Sequence, residues 1–356
     1  VNAQSAANYA FSTNSSGSLA LDMNSNALDM STGTSTMIGA GVFGGASETR
    51  EMGFEFWYMG TRCNTFNATS NGLIGLQANN TLVASSATSL AFSTGNRIVV
   101  FQNGIAGANM ITNLANGKVH TKLFGSEGSF VRVIEWLNMS LNNTSTTVDA
   151  TFQLRMYQAT GVIEFVYGAM NIGFGGPYNT CNAGFSTTTT AVQSINFSSQ
   201  SSSNSLVNNI LPNGIITSLN SSFNGSRRVY RYTPATPSAA TGINFTSVTA
   251  NSGTLNWVDN SSDEVGFAIY RSVDAGATYK FFNLTTANLT SFGFSAPQLL
   301  PSTNYMWRVH TIREIPASPT SGTLTTLAGN TIISVASGNW NTPATWVGGV
   351  VPITTD

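Results

Sequence analysis

Residues 151–167 set the terms for the whole chain. From Thr151 to Tyr157 apolar and polar side chains alternate with period two, with Phe152, Leu154 and Met156 on one face and Gln153 and Arg155 on the other. That is the signature of a strand with one face in a core. Gln158-Ala159-Thr160-Gly161 then reads as a turn, and Val162 to Tyr167 as the returning arm of a hairpin. Nowhere do twelve residues carry apolar positions at i, i+3, i+4 and i+7 with good helix formers between them. Strand-like runs recur instead, at Phe54–Tyr58, Arg97–Phe101 and Phe130–Leu137. A chain patterned this way buries its apolar residues between sheets, so the expected fold class is all-β and antiparallel.

Three regions are expected. Residues 1–232 read as one large antiparallel β-sandwich or jelly-roll-like domain. Thr233-Pro234-Ala235-Thr236-Pro237-Ser238 is a stiff, extended connector, because two prolines sit among small residues. A second β-sandwich follows over 233–328, and a short β-rich tail over 329–356. Within the first region the low-complexity stretch Ser198–Ser205 is expected to be a surface loop.

Charge decides which partners are excluded. Only 8% of the 356 residues are charged, and 14 Lys and Arg face 15 Asp and Glu for a net charge of −1. An ordinary soluble domain is about a quarter charged. Surface polarity here comes from 43 Ser, 45 Thr and 38 Asn. The chain lacks the basic footprint of a nucleic-acid binder and the polybasic attraction to anionic membranes. It has no run of eighteen apolar residues, so no membrane insertion by a helix is expected. Surfaces poor in Lys and Glu cost little desolvation when they pack against another subunit or a polysaccharide. Self-association or other cell-surface proteins are therefore the expected partners, with polysaccharide a further candidate.

Cys63 and Cys181 are the two cysteines. A disulfide between them is the leading expectation, and it would constrain the unfolded chain by about 4–5 kcal/mol in the entropy model. Two buried free thiols, or a reactive thiol at Cys63 beside Arg62, are the alternatives. The opening Val1-Asn2-Ala3-Gln4-Ser5 reads like the remainder of a secretory signal, so an exported, extracellular or cell-surface protein is expected. Thirteen Asn-x-Ser/Thr triplets occur, among them Asn67, Asn138, Asn196, Asn224 and Asn283 as glycan-acceptor candidates. About nine would arise by chance from this composition, so the excess does not argue for glycosylation.

No constellation carries catalysis. Gly39-Ala40-Gly41-Val42-Phe43-Gly44 has dinucleotide-loop spacing, but a strand-like run follows it where a helix N-terminus is required. It reads as a glycine-rich turn. His120 and His310 are isolated and offer no zinc set with two cysteines. Glu55, Glu135 and Glu164 lie in strand-like runs and could share a face as a carboxylate pair or metal site. Solvent-facing glutamates, or cross-strand pairs with Arg132 and Arg155, are the favoured reading. Asp259-Asn260-Ser261-Ser262-Asp263-Glu264 offers oxygens for calcium without EF-hand spacing and reads as a surface turn. Trp57, Tyr58 and Tyr178 could stack on sugar rings, with core packing favoured. No cofactor, metal or catalytic residue is expected.

Residues 236–327 resemble a fibronectin type III domain. The resemblance rests on Leu255-Asn256-Trp257, on Val265 to Arg271, and on Leu300-Pro301-Ser302-Thr303-Asn304-Tyr305-Met306-Trp307-Arg308-Val309. It implies a core indole at Trp257 and a tyrosine corner at Tyr305, where the hydroxyl bonds back to a nearby loop. Tyr9–Ser12, Met52–Gly60, Ser70–Leu76, Thr151–Tyr157 and Gly161–Gly168 resemble the amino-terminal β-sandwich of multidomain surface proteins of Bacteroidetes bacteria. Ser337 to Gly349 resembles the entry into a right-handed β-helix-like repeat, which implies the front of a longer polypeptide. Together the resemblances imply a non-enzymatic surface, adhesion or structural protein able to form filaments or sheaths. A carbohydrate-binding or accessory region of a larger secreted enzyme is the alternative.

Overall fold

The computed structural model describes residues 8–77, 96–103, 111–112, 116–140, 148–170, 181–186, 192–196, 201–203, 227–329, 334–346 and 351–352. They fall into two compact units that part between Thr236 and Pro237, inside the proline-marked connector.

Strands β1 (Tyr9–Gly17), β2 (Ser35–Ile38), β3 (Arg50–Tyr58), β4 (Thr61–Ala68) and β5 (Leu73–Leu76) open the first unit. β6 (Arg97–Asn103), β7 (Ile111–Thr112), β8 (Lys118–Phe124), β9 (Val131–Ser140) and β10 (Ala150–Tyr157) follow. β11 (Ile163–Met170), β12 (Cys181–Ser186), β13 (Val192–Asn196), β14 (Ser201–Ser203) and β15 (Arg227–Pro234) complete it. One sheet runs β1-β15-β11-β10-β9-β8-β2 with β7 beside β9, and the other β14-β13-β12-β6-β5-β4-β3. The β10–β11 hairpin forms where the alternation predicts it, pairing Met156 with Ile163 and Leu154 with Phe165.

The inner faces meet in a single core that contains Phe152, Leu154, Met156, Phe165 and Trp136 from one sheet and Phe56, Ile74, Ile98 and Phe185 from the other. Polar bonds tie the two layers. The Trp136 indole donates to the Thr69 carbonyl at 2.8 Å. The Arg132 guanidinium reaches across to the Met52 carbonyl at 2.9 and 2.6 Å, and burial brings its pKa down to about 10. Gly72 sits at φ +77°, and a Cβ there would lie 1.9 Å from the Phe101 carbonyl oxygen. Only glycine permits this approach, which lets Val100 N–H donate to the Gly72 carbonyl at 2.9 Å.

Two expectations are corrected here. Cys63 is a buried free thiol, so the Cys63–Cys181 disulfide is not formed. The strand order β12-β6-β5-β4 explains why. Three inter-strand steps of about 4.8 Å hold the two positions about 14 Å apart, twice the roughly 7 Å reach of a disulfide. In the serine-rich stretch Ser198–Ser205, residues Ser201–Ser203 pair with β13 as an edge strand, because a ladder needs backbone groups and no particular side chain.

The second unit packs β16 (Thr241–Thr246), β17 (Gly253–Val258) and β20 (Ser291–Phe294) against β18 (Gly266–Ser272), β19 (Lys280–Leu284), β21 (Asn304–Ile312) and β22 (Thr320–Thr325). The sheet orders are β16-β17-β20 and β19-β18-β21-β22. Trp257 and Tyr305 are buried in its core, as the resemblance implied. Trp307 is fully buried, stacked on Phe294 at 4.8 Å and edge-on to Phe282 at 5.0 Å. The tyrosine corner closes as expected, with Leu300 N–H donating to the Tyr305 hydroxyl at 2.8 Å. Tyr305→Phe removes that acceptor and nothing else of size. It is expected to cost about 1–2 kcal/mol, measured as a lower urea midpoint for the second unit.

In the tail, Ser334 bridges Trp346, and a short 3-10 turn spans Pro343–Thr345. Trp346 packs edge-on to Trp340 at 4.6 Å. Among the described residues no helix is long and apolar enough to cross a membrane.

Candidate functional site

Period-two alternation sends Glu135, Gln153, Arg155 and Glu164 to the outer face of the first sheet, opposite the core. They are nevertheless buried, with Gln153, Arg155 and Glu164 at most 2% exposed. The cover is a strap, residues 18–34, that crosses this face. Its Leu28 and Met30 form a second small core with Val131, Val133, Tyr157 and Val162.

Under the strap the register lines polar groups up across neighbouring strands. His120 faces Glu135, and Glu135 faces Gln153. Arg155 faces Glu164, and Glu164 faces Arg231. His120 Nε2 lies 2.7 Å from one Glu135 oxygen, and Gln153 donates to the other at 2.6 Å. Arg155 donates to Gln153 Oε1 and to the strap carbonyls of Ser18 and Leu21. Glu164 accepts from Arg231 at 2.8 Å and from the Tyr157 hydroxyl at 2.6 Å, and Arg155 stands 3.8 Å away. Tyr157 in turn accepts the Met23 N–H at 3.3 Å. Every carboxylate oxygen in the ladder has a donor, which compensates the burial of the two carboxylates, while His120 Nδ1 is buried without a partner among the described residues.

Where the middle of the strap, residues 22–28, meets the β8–β9 and β10–β11 turns, a cleft of about 340 Å³ remains. The half-buried rings of Phe124 and Phe130, the buried Tyr157, and Asp22, Asn24 and Asn26 are among its lining. Asp22 organises the loop. One carboxylate oxygen accepts the N–H groups of Asn24 and Asn26, both at 2.8 Å, and the other accepts the Asn26 amide at 3.0 Å. Further along, Asp29 accepts from Ser31 and Thr32. Lys122 ties the Asp29 and Thr32 carbonyls at 2.7 and 2.8 Å.

The residues singled out from the sequence scatter. Glu55 lies on the other sheet, paired with Arg62 at 2.6 Å and bonded to the Trp57 indole. Glu135 and Glu164 share a face with one strand between them, and Gln153 and Arg155 occupy the gap. Of the two arginines expected as partners, Arg155 stands opposite Glu164, and Arg132 points into the sandwich. His310 binds the Ala317 carbonyl at 2.9 Å, far along the chain from His120. Glu264 is buried and caps the Asn288 N–H at 3.0 Å, and Asp263 pairs with Arg313 at 3.2 Å, so that stretch is a turn with internal partners. Residues 39–44 form a turn between β2 and β3. Among the described residues no three His, Cys, Asp or Glu side chains cluster to hold a metal. Trp57 and Tyr58 are buried, and Tyr178 lies outside the described residues.

Of the glycan-acceptor candidates, Asn67 is only 5% exposed, so the folded domain leaves no room for a glycan there. Asn138 and Asn283 are half-buried in β9 and β19. Asn196 ends β13, with its side chain outside the described residues, as is all of Asn224. Neither the strap nor the cleft stands out in the sequence pattern. Their readable signal was Asp22-x-Asn24-x-Asn26 followed by Asp29-x-Ser31, two aspartates at Asx-turn spacing.

Cys63 has a thiol pKa pushed up to about 12 by burial. Burial also raises Tyr157 and Tyr232. The folded state keeps these protons where the unfolded chain releases them, from about pH 8.5 for the thiol and about 10 for tyrosine. Stability therefore falls as pH rises from about 8.5 towards 12. Urea midpoints taken between pH 8 and 9, below the range where unfolded tyrosine ionises, should decline in the native chain and stay level in Cys63→Ala. An equal decline in both would assign the effect elsewhere.

No curated protein matches the chain. Among solved structures it is similar to a fibronectin type III domain of human collagen XX, at 22% identity over 24% of this chain and 88% of that one, with a TM-score of 0.22. A fibronectin type III domain of human contactin 1 gives 15% identity, 28% and 84% coverage and a TM-score of 0.24. An Fn3-like protein from Clostridium thermocellum gives 16% identity, 27% and 100% coverage and a TM-score of 0.23. The model of the family described as NIDO related matches residues 9–234, the whole two-sheet unit from its first strand to its last, and by that match the chain belongs to the NIDO-related family.

Proposed function

We propose that this chain is a non-enzymatic extracellular adhesion or structural module, exported to the cell surface, whose β units act as spacers and contact surfaces. One observation carries the reading. The groups a hydrolytic centre would draw on, His120, Glu135 and Glu164, are buried in the polar ladder of the first sheet, and the carboxylates' bonding is taken up by His120, Gln153, Tyr157 and Arg231. Residues that donate and accept protons in a reaction must reach substrate; here they are bonded within the ladder whose Gln153, Arg155 and Tyr157 hold the strap to the sheet. A NIDO-related domain is consistent with an extracellular, adhesion-type chain. The surface left over is rich in hydroxyls and amides, which cost less to desolvate than charged groups and can be satisfied by hydrogen bonds across a contact.

Beads coated with the purified 356-residue chain should cluster with one another or attach to cells, and attachment should persist at 0.5 M salt because few charges take part. Electron microscopy of the same preparation tests the filament form of the proposal. Dispersed beads together with a monodisperse monomer would overturn it, as would turnover of a polysaccharide.

A further inference from the structure

The geometry points to the cleft between the strap and the β8–β9 turn as a binding site for one sugar residue of a neutral glycan. This deepens the adhesive reading and rests on it for its biological meaning. Size comes first. At about 340 Å³ the space falls within the range of small-ligand pockets and is too confined for a folded partner.

Chemistry narrows the ligand. No lysine, arginine or histidine lines the cleft, and its one ionisable carboxylate is Asp22. The nearest cation, the Lys122 ammonium 4.9 Å over the Phe124 ring, is engaged by the Asp29 and Thr32 carbonyls, so phosphate, sulfate and uronate groups inside the cleft would face the Asp22 carboxylate and are disfavoured. Phe124 carries Lys122 over its ring at 4.9 Å and Phe130 stacks on Phe54 at 6.3 Å, and the parts of the two half-buried rings that line the cleft offer apolar surface of the kind the C–H face of a pyranose covers. Beside them Asp22 is only 8% exposed, and its second oxygen accepts a single internal bond, from Asn26. An ionised carboxylate oxygen has room for a further donor. A sugar hydroxyl supplies one, and the exposed Asn24 and Asn26 can both give and take hydrogen bonds beside it.

Preorganisation supports the same ligand. The Asp22–Asn26 loop is closed by Asp22 N–H to the Asn26 carbonyl at 2.9 Å and Ser25 N–H to the Asp22 carbonyl at 3.1 Å, and Leu21 bridges Ala27 at its base. Met23 is pinned to Tyr157, and Tyr157 to Glu164. The polar groups are thus held in place before a ligand arrives, which lowers the ordering cost of binding. In this arrangement the buried ladder is the support of the site.

The test is calorimetric titration of the full chain with neutral oligosaccharides (cello-, xylo-, manno-, malto- and laminari-series) and with oligogalacturonate as the anionic control. At least one neutral series should bind saturably, with oligogalacturonate at least tenfold weaker. Phe124→Ala should weaken binding tenfold or more. Asn24→Ala, an exposed change that leaves the loop bonds of Asp22 intact, should weaken it about fivefold with an unaltered unfolding midpoint. Absence of binding by every neutral series, tighter binding of the anionic control, or affinity unchanged in Asn24→Ala and Phe124→Ala would each overturn the proposal. Bead attachment run alongside separates the two readings. Attachment with no oligosaccharide binding rejects the cleft and keeps adhesion, and binding without attachment rejects adhesion and keeps the cleft.

Discussion

Glu164→Ala is expected to destabilise the first unit by about 3–5 kcal/mol, the cost of breaking a buried ion pair from one side. The change strands Arg155, which is 2% exposed, and takes the acceptor from both Tyr157 and Arg231. For a unit of this size that corresponds to a fall in Tm of roughly 6–20 °C, measured by the near-ultraviolet signal of the chain. The double change Arg155→Met with Glu164→Leu should recover the part of the loss due to the stranded Arg155 charge, because apolar groups of similar volume need no partners, while Tyr157 and Arg231 still lack their acceptor. It also removes the bonds from Arg155 to the Ser18 and Leu21 carbonyls. The double variant, more stable than Glu164→Ala, should therefore be cut within residues 18–34 by a protease that leaves the native chain intact. A double variant as resistant as the native protein would mean that the small core around Leu28 and Met30 alone holds the strap.

Trp136→Ala should cost a similar 3–5 kcal/mol through a different mechanism, an unfilled cavity in the main core. The indole is fully buried and stacked on Phe152 at 5.1 Å with 14° between the planes. Its N–H also bonds the Thr69 carbonyl of the opposite layer. Trp136→Phe keeps most of the volume and gives up the bond, so about 1–2 kcal/mol is expected. Urea unfolding of both variants checks the ordering, and equal losses would show that the inter-layer bond dominates over packing.

Local pattern made much of this architecture readable. The Thr151–Tyr167 hairpin follows from alternation and a turn, and the Trp257 and Tyr305 positions follow from motifs within one strand or corner. Interactions between distant segments were harder to read. The pattern at Gln153 and Arg155 correctly separates two faces, and a polar face without a cover would be wet. The burial of both residues comes from a strap more than 120 residues earlier in the chain. The same holds for Glu135 and Glu164, whose roles depend on which strands became neighbours.

Side-chain periodicity, low charge and turn-forming residues are properties of adjacent residues, and they determined an all-β antiparallel chain with a hydroxyl- and amide-rich surface, while the second sandwich was read from its resemblance to a fibronectin type III domain. Strand order is not a local property. It placed Cys63 and Cys181 on strands too far apart to bond, buried Asn67, set Glu55 on a different sheet from Glu135 and Glu164, and closed a strap over a polar ladder to leave a cleft beside it. Each of those outcomes depends on which backbone edges pair across long loops, and many sequences of the same alternation satisfy that choice equally well.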